Sequence, residues 1–277
     1  MKPLDRDKMQ KAAIDIRPVI GPESAFLVER LSAAYNGVPV VVDVSLNAPA
    51  GAITAIMGPN GAGKSTFLKA ALGLIPRLSG KTLVFGKPLS RDRREIAYVP
   101  QRAAVDWDFP ATVMDVVMMG LQPEIGWLRP PSVVHERRAH AALAAVGMEG
   151  FAARQIGQLS GGQRQRVFLA RALVQEAPVM ILDEPFAGID AATEQAIVDI
   201  FRSLKKAGRS IIAVHHDLAT ARDYFDHVLL MNVVKIAEGP AETVLSEDNI
   251  ALAYGTRPVA SPSGPVPALT RGSGAPR

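Results

Sequence analysis

The sequence predicts an α/β fold in which a largely parallel central sheet carries an antiparallel β flank and an inserted helical subdomain. Three observations lead there. Short β-branched runs, "PVVVDVSL", "AITAIMG", "VMILDEP" and "SIIAVHHD", alternate with helix-like segments at 64–74, 161–174 and 191–207. A glycine-rich loop joins one of these strands to one of these helices. Between residues 102 and 160 the alternation stops, and "TVMDVVMMGL" and "SVVHERRAHAALAAVG" read as helices with no strong strand between them.

Taken in order, residues 1–22 form a polar extension, too interrupted by charge to hold the apolar core of a secretion signal and expected to be flexible. Residues 23–255 hold the folded domain. Closely spaced strand candidates within 24–57 are expected to make the antiparallel flank. The helical subdomain spans about 102–160, with a further helix running to about 175. Residues 256–277, "TRPVASPSGPVPALTRGSGAPR", are rich in Pro, Gly and Ser, have little to bury and are expected to be a flexible tail. No internal repeat recurs at a fixed period.

Composition narrows the function. A chain of 277 residues, 48% hydrophobic and 21% charged, can bury a large core in one domain and is not generally disordered. The absence of cysteine excludes disulfide scaffolds and thiolate metal sites, and fits a reducing compartment. A net charge of +4 is small for this length despite a pI of about 9.4, which argues against a nucleic-acid partner. No stretch approaches the ~18 uncharged apolar residues of a membrane span.

The segment "GPNGAGKST", Gly58, Pro59, Asn60, Gly61, Ala62, Gly63, Lys64, Ser65 and Thr66, matches the phosphate-binding pattern G-x-x-x-x-G-K-[ST] between a strand and a helix. Glycines let the backbone amides face phosphate oxygens, and the following helix adds its positive N-terminal field. Lys64 can reach the terminal phosphates and Ser65 can offer a hydroxyl to magnesium. Typical residue frequencies give this pattern by chance in roughly one such chain in a hundred. Small-molecule kinases, GTPases and ATP-driven motors all use such loops, so a partner carboxylate is needed.

"VMILDEP" supplies two, Asp183 and Glu184, at the carboxyl edge of a strand where α/β ligands bind. Asp183 can hold magnesium directly or through water. Glu184 points the other way if the strand continues, and can orient or deprotonate the water that attacks the γ-phosphate. Without the phosphate loop, two solvated acids at a strand end would be an adequate account. In "LSGGQRQR", Leu159, Ser160, Gly161, Gly162 and Gln163 precede the helical run "QRVFLARAL". A plain serine N-cap is one reading. The other is a second anion-binding helix start, suited to a nucleotide held by a partner subunit.

"GPNGAGKST", "LSGGQ" and "VMILDEP", in this order and spacing, resemble the ATP-binding cassette (ABC) family over about residues 24–245, and "LSGGQ" separates that family from other phosphate-loop ATPases. The resemblance implies a phosphate-loop ATPase core that binds ATP and Mg2+, and a head-to-tail dimer of two cassettes, here a homodimer, sandwiching two ATP molecules between the phosphate loop of one and the signature helix of the other. It places Tyr35 against adenine, with a core tyrosine as the alternative. Gln101, after strand-like "IAYVP", takes the place of the glutamine that links magnesium and the attacking water to the helical subdomain. His216, the second histidine of "VHHD", takes that of the switch histidine on the γ-phosphate, with His215 facing elsewhere on an extended strand. Asp190, in "AGID", matches the aspartate of the dimer-contacting loop, although Ala187 stands where many of the family have Ser.

The resemblance also implies separate integral membrane permease subunits, for which this chain is the motor, at the cytoplasmic face of a bacterial inner membrane. "VDWDFP", "VVMMGL", "GWLRPP", "VHHDL" and "EPFAGID" are similar to ATPase subunits of bacterial manganese, zinc or iron uptake systems, which work with an extracytoplasmic solute-binding protein. Import of another solute, or a soluble ABC ATPase acting on ribosomes or DNA, are the alternatives. In "QRAAVDWDFP", Asp106 and Asp108 flank one of the chain's two tryptophans. Two carboxylates without a third ligand make a poor cation site, so Arg102, Val105, Asp106, Trp107, Asp108 and Phe109 are expected to form a permease-coupling surface with Trp107 as its apolar anchor.

Overall fold

A computed structural model describes residues 24–35, 37–89, 94–101, 110–126 and 129–255. Two sheets organise it. The larger has six strands in the order β10-β9-β3-β8-β7-β6. Its strands β3 (Ile53–Met57), β6 (Ile96–Val99), β7 (Val179–Leu182), β8 (Ser210–Val214) and β9 (His227–Asn232) run parallel, and β10 (Val234–Pro240) closes one edge antiparallel to β9. Every residue of β3, β7 and β8 is buried, as continuous apolar runs covered on both faces should be.

The smaller sheet, order β2-β1-β4-β5, is the antiparallel flank: β1 (Ser24–Tyr35), β2 (Val38–Pro49), β4 (Ser79–Val84) and β5 (Lys87–Pro88). The expected flank over 24–57 starts where expected but is corrected at its later end. Ile53–Met57 lies between β8 and β9 in the larger sheet, because five consecutive buried residues cannot sit in a sheet with one wet face. The flank's remaining strands come from 79–88, where "SGKTLV" carries too few apolar residues to announce itself. Strands β9 and β10 were likewise unmarked.

The period-two alternation of strands divides the interior into two cores. Ile56, Ile212 and Val214 point toward the flank and meet Phe26, Leu31, Leu46, Phe67 and Leu68, the last two from α1 (Lys64–Ala71). Ala55, Met57, Ile211 and Ala213 point the other way, toward the remaining helices. There α6 (Ala191–Lys206) buries Ile197, Val198, Phe201 and Leu204 at helical spacing; it starts on the Asp190 cap and ends on Lys205 and Lys206, which suit the dipole.

The region read as a helical insertion holds α2 (Val113–Met118), a 3-10 turn (Met119–Leu121), α3 (Gln122–Ile125) and α4 (Val133–Ala145), which pack with α5 (Gly161–Leu173). Thr112 starts α2 with a capping box to Asp115. Among the described residues of 102–160 the only β pairing is an isolated bridge, Thr112 to Gln155. Gly120 lets the turn lie directly on α5, since a Cβ there would stand 2.3 Å from the Arg171 carbonyl oxygen. The described residues finish through α7 (Leu218–Tyr224), α8 (Ala241–Val244) and α9 (Glu247–Tyr254). Among the described residues, no helix is long and apolar enough to cross a membrane.

Candidate active site

The phosphate loop leaves β3 at Met57 and enters α1 at Lys64. Two glycines are demanded by their surroundings. Gly58 has φ 150° and a Cβ on it would lie 2.0 Å from the Met231 carbonyl oxygen; Gly63 has φ 86° and its Cβ would lie 2.3 Å from that of Val40. Lys64 folds over the loop and its Nζ donates to the carbonyls of Gly58 and Pro59 at 2.8 and 2.9 Å. Burial lowers the pKa of this ammonium, while Glu184 and Asp183 oppose the fall.

Ser65 Oγ donates to Asp183 Oδ1 at 2.8 Å, joining the first turn of α1 to the end of β7. Asp183 is 1% exposed. Burial raises its pKa, opposed chiefly by the Ser65 hydrogen bond and the charge of Lys69. Strand β7 stops at Leu182, so the expectation that Glu184 faces opposite Asp183 on a continuing strand is corrected: Glu184 has φ 54°, a left-handed turn that re-aims its side chain. Gln101 Nε2 donates to Glu184 Oε2 at 2.7 Å, so the residue after β6 and the acid after β7 form one pair above adjacent parallel strands.

The two histidines separate as alternation predicts. His215 is 2% exposed, its Nε2 lies 3.0 Å from Thr220 Oγ1, and its ring meets Phe186 edge-on at 5.4 Å. Burial, with the neighbouring His216 second, pushes its pKa down to about 4. His216 is exposed at the same sheet edge. Tyr35 ends β1 with 68% of its surface exposed, which rules out the core-tyrosine alternative.

Ser160 caps α5. Its hydroxyl accepts from the Gln163 amide at 3.3 Å, and the Gln163 side chain accepts from the Ser160 amide at 2.9 Å. The N-cap reading thus holds within the single chain, and it leaves the helix start facing outward with Ser160 exposed. Asp190 caps α6 by accepting from the Thr193 amide at 2.9 Å, and these hydrogen bonds hold its carboxyl below the usual range. The two caps are neighbours: a Cβ on Gly162 would sit 3.7 Å from Thr193 and 3.8 Å from Ile189. Gly161 and Leu159 flank them, with Leu159 buried.

Arg102, Val105, Asp106, Trp107, Asp108 and Phe109 lie outside the described residues. Among the described residues, no group of three or more His, Cys, Asp or Glu is placed to hold a metal. One supporting feature had no sequence signal: the β9–β10 turn braces the phosphate loop from behind. The Val233 amide donates to the Ala62 carbonyl at 3.0 Å, and the Val233 carbonyl accepts from Val42 at 2.8 Å. Val233 does this at φ 63°, an unusual conformation for a β-branched residue.

Known proteins resemble this chain over most of its length. A family model described as ABC transporter matches residues 41–187. The zinc transport system ATP-binding protein TroB of Treponema pallidum is 55% identical over 233 residues, covering 84% of this chain and 88% of that protein. The manganese transport system ATP-binding protein MntB of Bacillus subtilis is 52% identical over 230 residues, covering 83% and 92%. Among solved structures, cbiO1 from Clostridium perfringens, part of the ABC transporter complex cbiONQ, superposes with a TM-score of 0.69 at 31% identity, covering 83% of this chain and 94% of that one. The ADP conformation of an ATP-binding cassette shares the fold, with a TM-score of 0.73 at 24% identity over 85% of this chain and all of the other.

Proposed function

The chain belongs to the ABC transporter family as an ATP-hydrolysing, ATP-binding subunit, and on that premise we propose that it powers import of a divalent transition metal, manganese, zinc or iron. A family member of this kind dimerises and works on membrane permease subunits. The finer partners are a second copy of this chain, a permease at the cytoplasmic face of a bacterial inner membrane, and an extracytoplasmic solute-binding protein behind that permease. The relatives from zinc and manganese transport systems, at 55% and 52% identity, are what support the cargo.

The observation that carries the chemistry is the convergence of Lys64, Ser65, Asp183, Glu184 and Gln101 at one sheet edge. Lys64 and the loop amides from Asn60 to Thr66 receive the ATP phosphates, and Tyr35 offers its exposed ring to the adenine. A hydroxyl and a carboxylate 2.8 Å apart beside the loop fit magnesium, a hard ion that takes few protein oxygens and keeps its other positions for phosphate and water. Ser65 and Asp183 would hold it, with Gln101 nearby, and it would neutralise phosphate charge.

Glu184 orients the attacking water and takes its proton. The Gln101 amide, by donating to this carboxylate, fixes its rotamer and reports occupancy to the helical subdomain that Gln101 adjoins. His216 faces the γ-phosphate. Leu159 to Gln163 and Asp190 of the partner cassette close over the nucleotide, so water exclusion depends on the dimer. Glu184→Gln should keep ATP binding and lose roughly a hundredfold or more in hydrolysis; parental hydrolysis would remove Glu184 from its role. Lys64→Ala should abolish ATP binding at micromolar nucleotide. For the cargo, vesicles holding the cassette with its copurified permease should accumulate radiolabelled manganese or zinc; uptake of an organic solute but no metal would reject metal import.

A further inference from the structure

Two buried oxygen atoms near the magnesium-binding carboxylate have no hydrogen-bond partner: Asp183 Oδ2 and the Tyr98 hydroxyl. Buried polar atoms left this way usually mark a missing water or a functional pairing. The strand register puts the two residues on the same face of adjacent strands. Tyr98 in β6 stands opposite Ile181 in β7, and Asp183 follows two residues later, its amide continuing the ladder to the Val99 carbonyl at 2.9 Å. Ile181 and Tyr98 both pack into the core that holds α1, and the Asp183 side chain reaches α1 through Ser65. Ser65 occupies Oδ1, which leaves Oδ2 for a second donor.

We propose that Tyr98 is a positioning residue for Asp183: its hydroxyl donates across one water to Oδ2 and so turns Oδ1 toward Ser65 and the metal. A tyrosine hydroxyl keeps its proton at physiological pH, so Tyr98 is the donor and the carboxylate the acceptor. Outer groups that fix a ligating carboxylate typically change metal affinity by about 10–100-fold when removed. This inference rests on the assignment of magnesium to Asp183 and Ser65.

The test uses the full chain and Mn2+ as the probe, with binding read by electron paramagnetic resonance beside a non-hydrolysable ATP analogue. Analogue binding in EDTA and the thermal melt are measured in parallel. Tyr98→Phe keeps the ring in its core and removes only the hydroxyl. It should weaken Mn2+ binding by roughly tenfold while leaving metal-free nucleotide binding unchanged, with the melt lowered only by the one lost hydrogen bond. Parental Mn2+ affinity in Tyr98→Phe, alongside weakened affinity in Asp183→Asn, overturns the role of Tyr98 alone. Parental affinity in Asp183→Asn overturns the magnesium assignment beneath it. Equal loss of metal-dependent and metal-free nucleotide binding in Tyr98→Phe also overturns the proposal, because the hydroxyl would then act by general packing.

Discussion

Glu238 in β10 reaches across to the other sheet: its carboxylate accepts from the Asn47 amide of β2 and from Lys235, with His227 Nε2 at 3.5 Å. Burial alone would raise its pKa, but these partners overrule it and bring the carboxyl down from 4.5 to about 2. The sign follows from linkage. The unfolded chain binds the proton more readily, so the ionised pair stabilises the fold fully above pH 4.5 and loses that contribution as the pH falls toward 2. At about 1.4 kcal/mol per pH unit the ceiling is about 3 kcal/mol. Solvent at the partly exposed Lys235 screens this to about 2 kcal/mol. About a quarter should be gone at pH 4 and more than half at pH 3. Urea unfolding of the parent and Glu238→Gln at pH 7, 4 and 3 isolates the term, because every other titrating group is shared. The variant should be about 2 kcal/mol less stable at pH 7, with the gap closing toward pH 3. Equal stability at pH 7, or a gap that does not shrink on acidification, would refute the reasoning.

Gly120→Ala pushes a methyl to within 2.3 Å of the Arg171 carbonyl oxygen and 2.7 Å of Val174, and should cost about 1–3 kcal/mol as a lower melting temperature. Val233→Gly keeps the amide bond to Ala62 and relieves a β-branched residue at φ 63°; after the added chain entropy, about 1 kcal/mol of stabilisation should raise the melt. His215 is held neutral with a pKa of about 4 by burial, so its contribution is complete above pH 6.5 and falls as the pH drops toward 4. His215→Gln should flatten the stability profile across that interval, read by denaturation at pH 7 and 5.

The readable parts of this protein share one property: their signal is local. A phosphate loop needs glycines and a lysine at fixed offsets, a buried parallel strand is a continuous apolar run, and a cap is a Ser or Asp just before a helical period. Hence the Gly58 to Thr66 pattern, β7 and β8, and the Ser160 cap were legible, and β3 was legible as a strand but not in its sheet. The flank's later strands and the β9–β10 hairpin were not, because their residues are chosen by what they lie against. Glu184 shows the limit most clearly. Its place after an apolar strand was plain, while its direction depended on a strand ending one residue earlier and a left-handed turn.

By itself, the sequence determined the α/β class and the residues of the phosphate-loop pattern, since those depend on neighbours within a few positions. Tertiary structure decided which groups act together: Ser65 on Asp183, Gln101 on Glu184, and the Val233 turn behind Ala62. Those pairings join residues as much as 171 positions apart, and only the register of parallel strands and the packing of α1 on the sheet bring such distant atoms within hydrogen-bond reach.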